Sequence, residues 1–272
     1  MKRAVFVLLI ASALCNEDEK YTFIRIYNDG QKVKYKEDSM TTVEFPGMGE
    51  LRQGSNYTLI EEPLGKKGGF YIIQSTMTKL VSVNIFLDEV VLGYDQAAIN
   101  NVPCLLYINN DGNLDHIETE HSYLVEKFEA QYMNMNFANY FYPFGKNAVN
   151  ISIGDSWTEV QDSLVFFVQE GTESLFSFRS IFTLEKIKTK KGIKIAYISE
   201  ETEMTCTLNM ILGNEFMEIQ QSGGVETTYM FDIGAGEIIS AKTYGNFLGE
   251  GQIGKITMTT ENNFTNKRKR VK

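Results

Sequence analysis

Several residue types are scarce in this sequence, and each shortage excludes something. There are two histidines, one tryptophan, three cysteines and four prolines. His116 and His121 leave little imidazole for a metal centre or an acid–base pair. So few prolines, with no low-complexity run, argue against a long flexible linker. No apolar run approaches the roughly twenty residues of a membrane-spanning helix. No G-x-S-x-G elbow and no P-loop appear. Gly249, Gly251 and Gly254 lie between two strand-like runs, with no helix N-terminus to hold phosphate. Positive charge is also short: 26 basic residues stand against 35 acidic ones, net −9. A chain this acidic has no general attraction for nucleic acid or anionic lipid surfaces.

What is present begins at the N-terminus, MKRAVFVLLIASALC. Lys2 and Arg3 precede an apolar run from Ala4 to Ala11, and small residues follow, the three parts of a secretory signal. Residues 1–14 are therefore read as an export signal. Without them the 26 basic residues fall to 24 against 35 acidic ones, net −11. Two cleavage sites compete. Ala11 and Ala13 form an A-x-A pattern with a cut after Ala13. The other reading resembles a bacterial lipoprotein signal, with cleavage before Cys15 and a lipid on its thiol. Ser12 and Leu14 depart from that pattern, whereas the short leader and the polar stretch after the cysteine suit it. Residues 15–20 then form a tether, and the membrane becomes a partner through that lipid. The location is extracytoplasmic: periplasm or outer membrane.

Cys104 and Cys206 remain, each in an apolar strand-like run. An oxidising compartment permits a disulfide between them. Two buried thiols are the equal alternative, since free cysteine behaves as a small hydrophobe.

A hydrophobic content of 43% suits a globular chain, and the dominant period is two. Residues 22–36 read as a hairpin turning at Asn28 to Gly30, and residues 104–118 as another turning at Asn110 to Gly112. In 174–188, Phe176, Phe178, Phe182 and Leu184 share a face. A turn follows at 189–192. In the next run Met204, Cys206, Leu208 and Met210 oppose Thr205, Thr207 and Asn209. Three further strands (224–233, 236–247 and 254–264) have glycine at their junctions. Even spacing with turn signals marks an antiparallel meander. One stretch breaks the period: Val125, Phe128, Tyr132 and Met135 fall on a helical face, predicting a helix at about 120–139 stopped by Pro143.

After that helix comes FGKNAVNISIGDSWTEV (144–160). An apolar strand entry followed by Gly154-Asp155-x-Trp157 resembles a bacterial extracytoplasmic β-rich domain family of unknown function, built from long antiparallel strands. More remotely it is similar to lipoprotein-carrier half-barrels, where a curved sheet wraps an apolar cavity. The resemblance covers about residues 70–264. Trp157 reads as a structural anchor.

The predicted fold is mainly β (α+β): a strongly curved antiparallel sheet or half-barrel with one central helix on its concave side. It forms a single domain over 21–264, with two lobes flanking the helix as a variant, and 265–272 as a basic tail. KRKRVK is a solvated tail by default and an anionic-surface contact otherwise. His116, Glu118, Glu120 and His121 lack the spacing of a metal site, whether on a helix or on a strand. NNDGNLDHIETE (109–120) places Leu114 where a calcium loop needs glycine. No metal and no cofactor is expected.

Tyr132 to Phe144 is rich in aromatics and methionine, which read as core packing or as the rim of an apolar pocket. The candidate pocket residues are Tyr132, Met133, Phe176, Phe178 and Met204. The leading expectation is a non-enzymatic cell-envelope lipoprotein binding an apolar ligand, such as a lipid, or an envelope partner. The alternatives are a structural or protein-interaction secreted protein without a cavity, and a hydrolase with an unrecognised carboxylate site.

Overall fold

The computed structural model describes residues 19–45, 49–86, 89–92, 100–119, 140–169, 172–212, 215–253 and 256–271. Twelve strands lie within them: β1 (Val33–Phe45), β2 (Gly49–Lys67), β3 (Phe70–Phe86), β4 (Glu89–Leu92), β5 (Pro103–Ile108), β6 (Leu114–Glu118), β7 (Ser156–Gln169), β8 (Thr172–Lys190), β9 (Ile193–Leu212), β10 (Glu215–Asp232), β11 (Glu237–Ile253) and β12 (Ile256–Val271). They form one sheet in the order β6-β5-β3-β2-β1-β12-β11-β10-β9-β8-β7, with β4 pairing β3 beside that path. The N-terminal and C-terminal meanders meet where β1 pairs β12, from Lys34 opposite Val271 to Glu44 opposite Glu261. The longest strand, β9, has 20 residues and so spans about 65 Å at the usual rise per residue.

The fold is all-β, which corrects the α+β expectation. No helix occurs among the described residues, and the segment expected to be helical, 120–139, lies outside them. The sheet's inner face is covered by irregular chain instead. Residues 19–31 run beside 140–155: Tyr21 N–H donates to Ile151 O (2.9 Å), Phe23 N–H to Ala148 O (3.0 Å) and Arg25 N–H to Phe141 O (2.8 Å). These bonds replace the expected 22–36 hairpin. The turn forms, with Gln31 N–H donating to Asn28 O at 3.0 Å, but residues 22–27 leave the sheet and β1 pairs β2 and β12. Phe23, Phe144, Ala148 and Ile151 are buried on this arm, and burying them offsets the missing ladder bonds.

The 104–118 hairpin forms as β5 and β6, with Asn109 Oδ1 accepting from Asp111 N–H and Asn113 N–H, both at 3.0 Å. The turn expected at 189–192 joins β8 to β9. Lys191 and Gly192 both take positive φ, 50° and 79°, as a two-residue hairpin turn requires.

Two glycine junctions are not junctions. Gly223 and Gly224 lie inside β10, and Gly249 and Gly251 inside β11. The basic tail is not a tail either: residues 265–271 are the last half of β12, paired with β1 throughout and with β11 as far as Lys269.

Two clusters form the core. One packs Tyr35, Tyr57, Leu59, Met77, Cys104, Leu106 and Tyr140 between β1, β2, β3 and β5. The other packs Phe23, Phe144, Trp157, Phe182, Leu184, Ile198 and Phe231 between the irregular arm and β7 to β10. Trp157 is central: its indole N–H donates to Phe144 O at 2.7 Å, and its ring stacks on Phe182 and Phe23 at 5.5 and 6.0 Å. Burial with a satisfied N–H is the usual condition for a core tryptophan.

Candidate functional site

Directly paired residues of an antiparallel sheet share a face, so the ladders define rows across the inner surface. One row runs Ser39, Asn266, Thr243, Thr227, Glu200, Phe182 from β1 to β8. The next is Thr41, Phe264, Gly245, Val225, Thr202, Ser180, and the third is Val43, Asn262, Phe247, Gly223, Met204, Phe178. The first row is polar as far as Phe182; the third carries the large apolar groups Phe247, Met204 and Phe178. Glycine opens the middle: a Cβ on Gly245 would overlap the Phe264 ring, so that ring lies flat across β11. Phe264 stacks on Phe247 at 5.9 Å with 7° between the planes.

A cavity of 330 Å³ sits over these rows. Strands β1 and β7 to β12 all contribute to its wall, and Tyr140, Pro143, Gly145 and Lys146 close it from the irregular arm. The apolar part is Phe178, Phe182, Met204, Val225, Ile238 and Phe264; the polar part is Arg25, Glu37, Glu200, Thr202, Asn266 and Arg268.

Beside the polar end lies a buried charge cluster. Glu37 and Glu61 are each 1% exposed. Arg268 Nε stands 3.0 Å from Glu37 Oε1, and its terminal nitrogen 3.8 Å from Glu61 Oε1. Arg25 pairs Glu61 from the irregular arm. The Arg268 guanidinium also covers the Tyr35 ring at 4.0 Å, a cation–π contact in a desolvated site. Arg270 continues the network to Asp232 (3.3 Å) and to Glu237. Burial pushes the Glu37 carboxyl up to about 7; Arg268 opposes that rise and Glu61 adds to it. Burial works against the charge on Arg268, but Glu37 and Glu61 hold its guanidinium protonated. Glu200 accepts from Tyr229 Oη at 2.6 Å and from Thr202 Oγ1 at 3.0 Å.

Of the residues expected to line a pocket, Phe178 and Met204 do so, facing each other across β8 and β9. Phe176 pairs Cys206 one row further out and is not part of the wall. Tyr132, Met133 and Cys15 lie outside the described residues. Cys104 and Cys206 are buried free thiols on distant strands, and burial raises both, Cys206 to about 11. His116 stacks on the Tyr107 ring at 4.2 Å and pairs Asp115 at 2.8 Å. Among the described residues no group of three His, Cys, Asp or Glu side chains could hold a metal, and no helix is long and apolar enough to cross a membrane.

The sequence reading missed Glu37, Asn266 and Arg268. A signal for them exists. Continuing the period of two through NKRKRVK puts Asn266, Arg268 and Arg270 on one face and Lys267 and Lys269 on the other, the division between less and more exposed positions that β12 shows.

The sequence matches no protein-family model, and no curated protein matches it. Two outer membrane proteins align with low scores. One is a channel from Pseudomonas putida F1, with TM-score 0.26 and 9% identity over 91% of this chain and 97% of that one. The other is a loop-deletion mutant of OmpT from Vibrio cholerae, with TM-score 0.23 and 8% identity over 90% of this chain and 100% of that one. Neither score indicates a shared fold. Lipovitellin, in a structure describing its lipid–protein interactions, aligns with TM-score 0.51 and 11% identity over 91% of this chain and 26% of that one. The chain thus spans about a quarter of lipovitellin's length, and at this identity the likeness is one of fold.

Proposed function

We propose that this chain is a non-enzymatic, exported binding protein that holds an apolar ligand, such as a lipid, against the inner face of its sheet. The observation that carries this reading is the 330 Å³ cavity with Phe178, Met204, Val225 and Phe264 on its wall. That volume falls at the lower end of the roughly 300–1,000 Å³ of small-molecule sites. Lipovitellin, whose structure describes lipid–protein interactions, lends the same reading support through its fold. Of the wall carboxylates, Glu37 is ion-paired with Arg268, Glu159 accepts from Asn147 N–H, and Glu200 accepts from Tyr229 and Thr202, an arrangement suited to binding more than to proton transfer. Residues 1–14 supply the export signal in this proposal, and Cys15 the lipid anchor in an envelope.

The test uses N-phenyl-1-naphthylamine, an uncharged apolar fluorophore, and the full-length protein stripped of lipid. The wild type should bind it with fluorescence enhancement and one site per chain. Val225→Trp fills the cavity and should weaken binding tenfold or more while the protein stays folded. A wild-type protein that neither binds the probe nor carries lipid in native mass spectrometry would sink the proposal and leave the cavity-free interaction role.

A further inference from the structure

The two ends of the cavity differ in a way that selects a head group. Glu37, 1% exposed, keeps both carboxylate oxygens without a hydrogen-bond donor among the described residues, and Asn266 keeps Oδ1 in the same state. Both residues line the cavity. Such buried acceptors are costly unless something donates to them. Arg268 Nε stands 3.0 Å from Glu37 Oε1, an ion pair without hydrogen-bond geometry, so both carboxylate oxygens remain open to a donor. Glu37 pairs Arg268 across β1 and β12, and Asn266 pairs Ser39 one step along. Glu37 and Asn266 are therefore diagonal neighbours, whose backbones sit roughly 7–8 Å apart. Both acceptors therefore stand on paired strands at the same end of the cavity.

The charges around this end exclude the ionic alternatives. The charges of Arg25 and Arg268 are each balanced by a carboxylate, Glu61 and Glu37, so an anionic head would add an uncompensated charge to a neutral buried cluster. Glu200 adds a further carboxylate on the wall. Lys146 is the other wall cation; its side chain is 56% exposed and 3.8 Å from Asp111, so it is well hydrated. A cationic head would lie against both arginines. A neutral donor fits without an uncompensated buried charge.

We infer that the cavity selects a single-chain amphiphile with an uncharged, hydrogen-bond-donating head, its hydroxyls on Glu37 and Asn266 and its chain against Val225, Phe264, Met204 and Phe178. This rests on the cavity-binding reading above and specifies its ligand class.

The experiment compares three probes with one acyl chain: 1-lauroylglycerol, laurate and methyl laurate. Calorimetric titration into the delipidated full-length protein at pH 8 keeps Glu37 above its titration near 7. The lauroylglycerol should bind one to one, about tenfold tighter than either of the others. Asn266→Leu should weaken it roughly fivefold to tenfold, the worth of one hydrogen bond, and leave methyl laurate within twofold. Asn266→Gln, which keeps an uncharged amide acceptor, should hold lauroylglycerol within about threefold. Laurate binding as tightly as lauroylglycerol would overturn the assignment. So would a folded Asn266→Leu protein with unchanged affinity, or a folded Asn266→Gln protein weakened tenfold. If naphthylamine binds while the lauroylglycerol shows no preference, the head-group assignment fails alone; if no apolar probe binds, the cavity reading fails with it.

Discussion

Replacing Arg268 by Met tests whether the C-terminal basic run is structure or decoration. In the native protein Arg268 is 8% exposed. It neutralises Glu37 at 3.0 Å, approaches Glu61 at 3.8 Å and covers Tyr35 at 4.0 Å. Methionine retains the apolar stem but removes the charge, leaving two buried carboxylates with only Arg25 between them. Removing one member of a buried ion pair costs about 3–5 kcal/mol. For a chain of this size each kcal/mol moves Tm by roughly 2–4 °C, so R268M should melt about 6–20 °C below wild type at pH 8. Acid should repair part of the loss. Glu37 already sits near 7; without its cation it takes up a proton more readily still, and the orphaned charge disappears. The R268M deficit should therefore shrink markedly at pH 5. Lys269→Met, one residue away on the exposed face, should stay within about 0.5 kcal/mol of wild type. Thermal melts followed by circular dichroism at the two pH values give all three quantities. An R268M protein melting within 2 °C of wild type at pH 8, or losing as much at pH 5 as at pH 8, would refute the account of the buried network.

Glu37 should also shape the pH dependence of the wild type. Its folded value near 7 lies above the ordinary 4.5, so the folded state binds the extra proton between those limits. The stability it contributes is full below about pH 4.5 and is lost as pH rises through 7, by about 3 kcal/mol in all; Glu37→Gln should flatten that slope in urea titrations. Gly245→Ala should cost about 1–3 kcal/mol, because its Cβ displaces the Phe264 ring from its stack on Phe247; a neutral result in the same titrations would mean that the ring is free to move. Cys104 and Cys206, buried and raised, should resist iodoacetamide in the folded protein at pH 8 and alkylate fully in urea, read by peptide mass spectrometry. Labelling of either in the folded state at the unfolded rate would contradict its burial.

The sequence by itself determined what depends on near neighbours. The pleat sends alternate side chains to opposite faces, so the shared face of Phe178, Phe182 and Leu184, and that of Met204 and Cys206, could be read directly. Positive φ at a tight turn favours particular residues, so the turns ending at Gly112 and Gly192 could be read as well. Chain length along a strand was less legible: Gly223 and Gly249 look like breaks, yet they sit in mid-strand, where the chain at Asn246 and Phe247 and the side chains of Thr260 and Gln221 leave no room for a Cβ. Only the tertiary structure decided which face is inside, and which distant strands meet. Glu37, Glu61 and Arg268 become neighbours because β1 pairs both β2 and β12, a register fixed by long-range packing. The same closure moves residues 22–27 out of the sheet and onto the 140–155 arm, where a core that local periodicity cannot see rewards them more than a hairpin would. In KRKRVK, Arg268 and Arg270 turn inward to buried acids while Lys267 and Lys269 stay in water. The alternation is local, but the burial that gives it meaning comes from strands more than two hundred residues away in the chain.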